Sequence, residues 1–248
     1  IEKLLREVEL RENITLYTSA ELQEKSGSVG NFSVKIKVRS GDSVSLNVGA
    51  IVVTTGFDSY TPQEGEYGYG LKGVITLPEY KEMLATADGS LTYQGKTIKN
   101  IAYIYCVGSR QTSGNTYCSR YCCSAGVHSA LQAEENIKGV NQFHLFRDMR
   151  TYGKYELMYD EALKNGSIFM RFTQQDPPVV EQAGDKLSLR VKDKLTSNQE
   201  IQLEPDLVVL VTGMVPRENR KLVDILKLPV GRDGFFNEIH PKLRPVET

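Results

Sequence analysis

Apolar residues recur at helical spacing at the start of the chain, where Leu4, Leu5, Val8 and Leu10 predict a helix. From Asn13 the period shortens. ITLYTSAEL, FSVKIKVR and SVSLNV, parted by Gly-rich or Gly-Asp turns, predict three strands in series. FSVKIKV alternates strictly, as a half-buried antiparallel strand does. The three lead into AIVVTTGF, a nearly continuous apolar run of the kind that fills a parallel strand covered on both faces.

Residues 57–98 read mostly as connection. They hold a Gly/Tyr-rich loop, GEYGYG, and a helix over Pro78 to Ala87 with Thr76 as its N-cap. GEYGYG lacks the strand before it and the Gly-Lys-Ser/Thr after it that a phosphate loop needs, so it reads as a plain loop. Residues 99–213 then alternate: strand KNIAYIYCV, helix from Ser124 to Asn136, strand NQFHLFR, helix from Tyr155 to Lys164, strand SIFMRF. VVEQA, LSLRVKD and EIQLE form a second meander before the buried strand DLVVLVTG. Such alternation implies an α/β fold, a parallel sheet with right-handed crossovers plus β-meanders. GAIVVTTGF and PDLVVLVTGMVP echo each other. A strand ending in Thr-Gly suits close approach of a dinucleotide to bare backbone, because glycine carries no obstructing side chain.

Composition narrows the function classes. The 30 Lys+Arg and 31 Asp+Glu leave a net charge of −1, which gives no electrostatic footprint for nucleic acid or an anionic membrane. Apolar runs such as Leu207 to Val211 fall far short of the ~20 residues that span a bilayer. No secretory leader opens the chain, which points to the reducing cytoplasm. The first residue is Ile1, already inside a helical pattern, and the chain stops at Thr248 after Pro241–Pro245. Both ends read as cuts in a longer polypeptide.

The four cysteines change the picture most. Cys106, Cys118, Cys122 and Cys123 are spaced Cys-x11-Cys-x3-Cys-Cys, with none elsewhere. Thiolates suit iron–sulfur clusters, zinc or copper(I). Structural zinc usually takes two separated Cys-x2–4-Cys knuckles, and adjacent Cys122 and Cys123 are awkward ligands for one atom. A four-iron cluster takes one thiolate per iron, so neighbouring sulfurs can go to different corners. A redox dithiol is opposed by the absence of Cys-x-x-Cys, and four buried core cysteines remain the plain alternative.

Four further stretches carry a resemblance: Cys106-Val-Gly-Ser-Arg, Tyr117-Cys-Ser-Arg-Tyr-Cys-Cys123, Arg147-Asp-Met-Arg-Thr-Tyr-Gly153, and Gly234-Phe-Phe-Asn-Glu-Ile-His-Pro-Lys-Leu-Arg-Pro245. With the order of elements, they resemble the A-type component of heterodisulfide reductase and its relatives, within the thioredoxin-reductase-like flavoproteins that carry two dinucleotide-binding domains. The resemblance implies a truncated version of that fold. Residues 1–98 would be part of an FAD domain, 99–213 a degenerate NAD(P)-type domain carrying the cysteines, and 214–248 the return to the FAD domain. It implies a [4Fe-4S] cluster on Cys106, Cys118, Cys122 and Cys123, matching the family's unusual motif. It also implies FAD beside Thr54, Thr55, Gly56, Phe57 and Gly213 in the intact protein.

The same resemblance places His128 where relatives carry a basic residue directed at the flavin, and aligns Glu79 with a family carboxylate. Read from the chain alone, His128 is also a plain helix histidine and Glu79 a helix N-terminal stabiliser. His144 and His240 read as structural. The N-terminal Gly-x-Gly-x-x-Gly of the FAD site is absent, and only Gly108 survives of the second such turn, so NAD(P)H binding is not supported. Arg147 and Arg150 accordingly read as a solvated or interface face. The resulting expectation is an electron-transfer segment of an oxidoreductase, not active alone, passing electrons between FAD and cluster within a multi-subunit complex. A strip left bare by the missing flavin portion could pair copies as dimers. Two other readings stay open: a zinc- or disulfide-stapled interaction domain, and an NAD(P)H-dependent disulfide oxidoreductase.

Overall fold

A computed structural model describes residues 2–248, which divide into two compact units. The terminal unit takes the residues up to Gly56 and those from Pro216 onward; the central unit is Phe57–Val215. The first division falls at Gly56 and not at residue 98, because the stretch after Gly56 contributes a strand to the central sheet.

The terminal unit opens with α1 (Glu2–Glu9), followed by an antiparallel meander of β1 (Glu21–Ser28), β2 (Asn31–Lys37) and β3 (Ser43–Val48). The first strand lies downstream of the apolar ITLY stretch. Ile14 is 44% exposed and Leu16 50%, whereas Ser28 pairs with Asn31 across a two-residue turn that fixes the hairpin register. No strand forms over 50–56, against expectation: the segment is extended, alternates in exposure, and leaves Val52 84% exposed. A buried parallel strand needs a hydrogen-bonded neighbour on each edge, and none of this unit's strands pairs with it. Of the described apolar residues here only Val34 is buried.

The central unit begins with β4 (Phe57–Ser59), β5 (Val74–Thr76) and α2 (Leu77–Ala85). The small pair β6 (Thr92–Tyr93) and β7 (Lys96–Thr97) leads to β8 (Asn100–Val107), α3 (Cys122–Asn136) and β9 (Asn141–Phe146). Next come α4 (Glu156–Lys164), β10 (Ile168–Arg171) and the meander β11 (Val179–Ala183), β12 (Lys186–Asp193) and β13 (Gln199–Leu203). The chain returns through β14 (Leu207–Thr212) to β15 (Met214–Pro216), which pairs with β4; α5 (Arg220–Leu226) follows in the terminal unit.

The main sheet has the order β10-β9-β8-β14-β5, and all four pairings are parallel. This is the expected α/β arrangement of parallel sheet and meanders. Sequence alternation divides its two faces. Ile101, Tyr103, Tyr105, Val209 and Val211 pack with residues of α2 and α3; Ala102, Ile104, Val208 and Leu210 pack with the meander residues Leu187, Leu189 and Val191. Each such buried aliphatic contributes roughly 1.5–3 kcal/mol, so the cores concentrate in this unit. No helix among the described residues is long and apolar enough to cross a membrane.

Candidate functional site

The chain winds from β8 out to β9 and β10, then returns to place β14 on the other side of β8. The carboxyl ends of β8 and β14 therefore meet where strand order reverses, the position at which open parallel sheets bind ligands. Cys106 lies there. The pairing of β8 with β14 slips at this point, Val211 matching Tyr105 and Thr212 matching Val107, so Cys106 is the extra residue of a bulge. Its φ is 65°, a left-handed conformation that costs a non-glycine residue energy, and Arg110 (φ 55°) and Arg120 (φ 56°) share it.

The helix after the loop starts at Cys122, two residues before the expected Ser124, which puts both adjacent cysteines in its first turn. At 3.6 residues per turn, successive positions diverge by about 100°. Cys106, Cys122 and Cys123 are buried, and Cys118 is half-buried. The Cys122 thiol donates a hydrogen bond to Cys123; that bond and burial push its own pKa well up. Cys123 is held down toward the thiolate by that bond, helped by the Arg150 backbone N–H and by the Arg150 and Arg110 guanidiniums, against burial. Burial raises the Cys106 thiol against the pull of Arg147 and Arg110. The Arg120 amide donates to Cys118 Sγ at 3.4 Å.

The arginines around this site depart from the expected solvated face. Arg147 Nη2 donates to the Ser109 carbonyl at 2.8 Å, and Nη1 donates to the Arg110 carbonyl at 3.0 Å, so the residue after β9 braces the loop after β8. Arg110 Nη1 lies 3.9 Å from Cys106 Sγ, and its Nη2 pairs with Asp148 at 2.7 Å. Asp148 pairs also with Arg171 at 2.8 Å, and although burial opposes it, the two guanidiniums hold its carboxyl below the usual range. Sequence spacing could not reveal this network, because it joins three loops that only the sheet brings together.

Two glycines, Gly108 after β8 and Gly213 after β14, pack closely against their own chain. A Cβ on Gly108 (φ 70°) would fall 2.0 Å from the Tyr60 ring. One on Gly213 would lie 2.9 Å from both Ser109 Cβ and Ser119 Oγ, and Gly213 already donates to the Val107 carbonyl and accepts from the Tyr60 amide. Thr54, Thr55 and Gly56 lie in the terminal unit, where the Thr55 carbonyl accepts from Arg217 at 3.1 Å.

The other candidates separate. Glu79 caps α2: its Oε2 accepts from the Thr76 amide at 2.7 Å and from the Thr76 hydroxyl at 2.6 Å. His128 is exposed on α3 and lines an open cleft of about 370 Å³ with Lys81, Arg120, Tyr121 and Tyr155. Phe57 packs on Tyr121 with ring centroids 5.4 Å apart. His144 is fully buried, its Nδ1 2.8 Å from the Tyr105 hydroxyl, and burial lowers its pKa to about 3. His240 Nδ1 accepts from the Lys242 and Leu243 amides, closing a terminal turn.

Among the described residues, no three or more His, Cys, Asp or Glu side chains are gathered closely enough for one metal ion. The donor set nonetheless fits a sulfur-rich cluster. It comprises four thiols, one per iron, and three are reached by guanidiniums or by a backbone amide of their surroundings. Among the described residues, three buried polar atoms lack a partner, and two of them are Ser109 Oγ in the loop after β8 and Nε of Arg147, which braces that loop from the end of β9. Buried donors are ordinarily paired, and a group rich in sulfur acceptors would pair both.

No protein-family profile matches the chain. Methanopyrus kandleri has two iron–sulfur A-type components of its CoB–CoM heterodisulfide reductase that resemble it. The chain is 37% identical to the first over 223 residues, 84% of its length. It is 39% identical to the second over 83% of its length. This stretch is homologous to the A-type component of heterodisulfide reductase. The corresponding component of the H2:CoB–CoM heterodisulfide,ferredoxin reductase of Methanothermobacter thermautotrophicus is 35% identical over 84% of the chain. The chain spans about a third of the length of these heterodisulfide reductase relatives, 33% in each case. Among solved structures, bacillithiol disulfide reductase from Bacillus cereus superposes on 95% of the chain, which covers 62% of that protein, at TM-score 0.44 and 18% identity. That likeness carries no further argument.

Proposed function

We propose that this chain is an electron-transfer segment of a heterodisulfide-reductase-A-like protein, with one [4Fe-4S] cluster on Cys106, Cys118, Cys122 and Cys123. The observation that carries it is the strand-end site: all four thiols of the sequence belong to β8, the loop after it and the first turn of α3, beside two buried donors without partners. Such a cluster supplies one-electron chemistry at a potential set by its surroundings. The chain's own residues hold the thiols: the bulge turns Cys106 out of the ladder, α3 presents Cys122 and Cys123 at its positive end, and Arg147 fixes the loop between them. The names of the two Methanopyrus kandleri relatives, which include the words iron–sulfur, support the assignment.

The same reading gives FAD to the whole protein, with Thr54, Thr55, Gly56 and Phe57 as its contacts and His128, exposed on α3, as the basic residue directed at the flavin. It also includes Gly213 as a cofactor contact and Glu79 as the carboxylate on the flavin side, each already held by hydrogen bonds within the chain. The partners would be the other components of a cytoplasmic redox complex, through which electrons reach and leave the cysteines.

Anaerobic reconstitution of the chain with iron and sulfide tests the assignment. The wild type should gain broad visible absorbance, and Cys122→Ser and Cys106→Ser should each lose most of it. Unchanged absorbance in both variants would contradict the ligand set.

A further inference from the structure

Ser109 is 0% exposed and its hydroxyl has no partner among the described residues. Its main chain is held in place: its amide donates to the Cys106 carbonyl at 3.3 Å and its carbonyl accepts from Arg147 at 2.8 Å. Alanine would fill the same space without burying an unpaired hydroxyl, so the hydroxyl costs stability unless a bound group accepts from it. Arg147 repeats the pattern. Its two Nη atoms are committed to carbonyls and to Gln174 Oε1, while its buried Nε has no partner. Arg110 adds a third donor group, with Nη1 3.9 Å from Cys106 Sγ.

We infer that Ser109, Arg147 and Arg110 donate hydrogen bonds to the sulfur group held by the four cysteines and thereby raise its reduction potential. The inference rests on the iron–sulfur reading above. Reduction adds one electron and makes no bond, so the reduced group is more negative; donors and guanidiniums stabilise it more than the oxidised one. Asp148 acts in the opposite sense. Its carboxylate, shared between Arg110 and Arg171, offsets part of that positive charge.

A redox titration of the reconstituted chain, followed by electron paramagnetic resonance with iron counted in parallel, tests this. Ser109→Ala should keep the wild-type iron content and shift the midpoint negative, lowering the reduced-to-oxidised ratio several-fold at the wild-type midpoint. Asp148→Asn should shift it positive, and Arg110→Lys should lie closer to wild type than Arg110→Met. A merely structural role would not give shifts of opposite sign. Full iron content with an unmoved midpoint in Ser109→Ala and Asp148→Asn would overturn the inference alone. No iron or sulfide in the wild type would overturn the cluster reading and the inference together.

Discussion

The two Thr-Gly segments are near copies in sequence and opposites in structure. Residues 207–212 form β14, paired on one edge with β8 and on the other with β5, and every residue of the strand is buried. Residues 50–56, with the same apolar run, form no strand and leave Val52 84% exposed. The difference lies in the neighbours. β14 finds two parallel partners and a covered face on each side, whereas the strands of the terminal unit are taken up in their own antiparallel meander. An apolar run states that a strand can be buried; the sheet around it decides whether it is.

This contrast can be broken by substitution. Leu210→Ala, at a position with no exposure, should cost about 3 kcal/mol, the usual scale for opening a cavity in a packed core. Val52→Ala should change stability by less than about 0.5 kcal/mol. Urea unfolding of the two variants checks both, and equal costs would mean that the terminal segment is packed after all.

Burial of His144 makes the stability of the central unit depend on pH. His144, buried in the central unit, has its pKa pushed down to about 3, against an unfolded value near 6.5. Between those values the unfolded chain binds a proton that the folded chain does not, so stability falls as pH drops. About 2 kcal/mol should be lost from pH 6.5 to 5, at about 1.4 kcal/mol per unit. His144→Gln should flatten that slope when urea unfolding is followed against pH.

The smallest contrast is between the two glycines. Gly213→Ala must push aside Ser109 Cβ and Ser119 Oγ and should cost about 2 kcal/mol. Gly56→Ala meets only Arg217 Nη1, at 3.8 Å, and should cost about 1 kcal/mol through its φ of 70°. Calorimetric melting of the pair measures the gap.

Elements of both units were legible where their signals are local. Strict alternation marked β2, continuous apolar runs marked β8 and β14, and Thr76 with Pro78 marked the start of α2. The cysteine spacing marked the site. What was not legible depends on contacts distant in sequence. ITLY resembles a strand, yet the hairpin register placed β1 further on. Arg147 resembled a surface charge until the sheet laid its loop against Ser109 and Arg110. Nor could spacing show that Tyr60, Ser109 and Ser119 pack beside Gly108 and Gly213.

The central claim is that four thiols at the end of β8 and the start of α3 hold one iron–sulfur cluster. Metal and acid-labile sulfide analysis of the anaerobically purified chain tests it most directly. The account predicts about four iron and four sulfide per chain, both lost together in Cys122→Ser. One zinc per chain with no labile sulfide would contradict it.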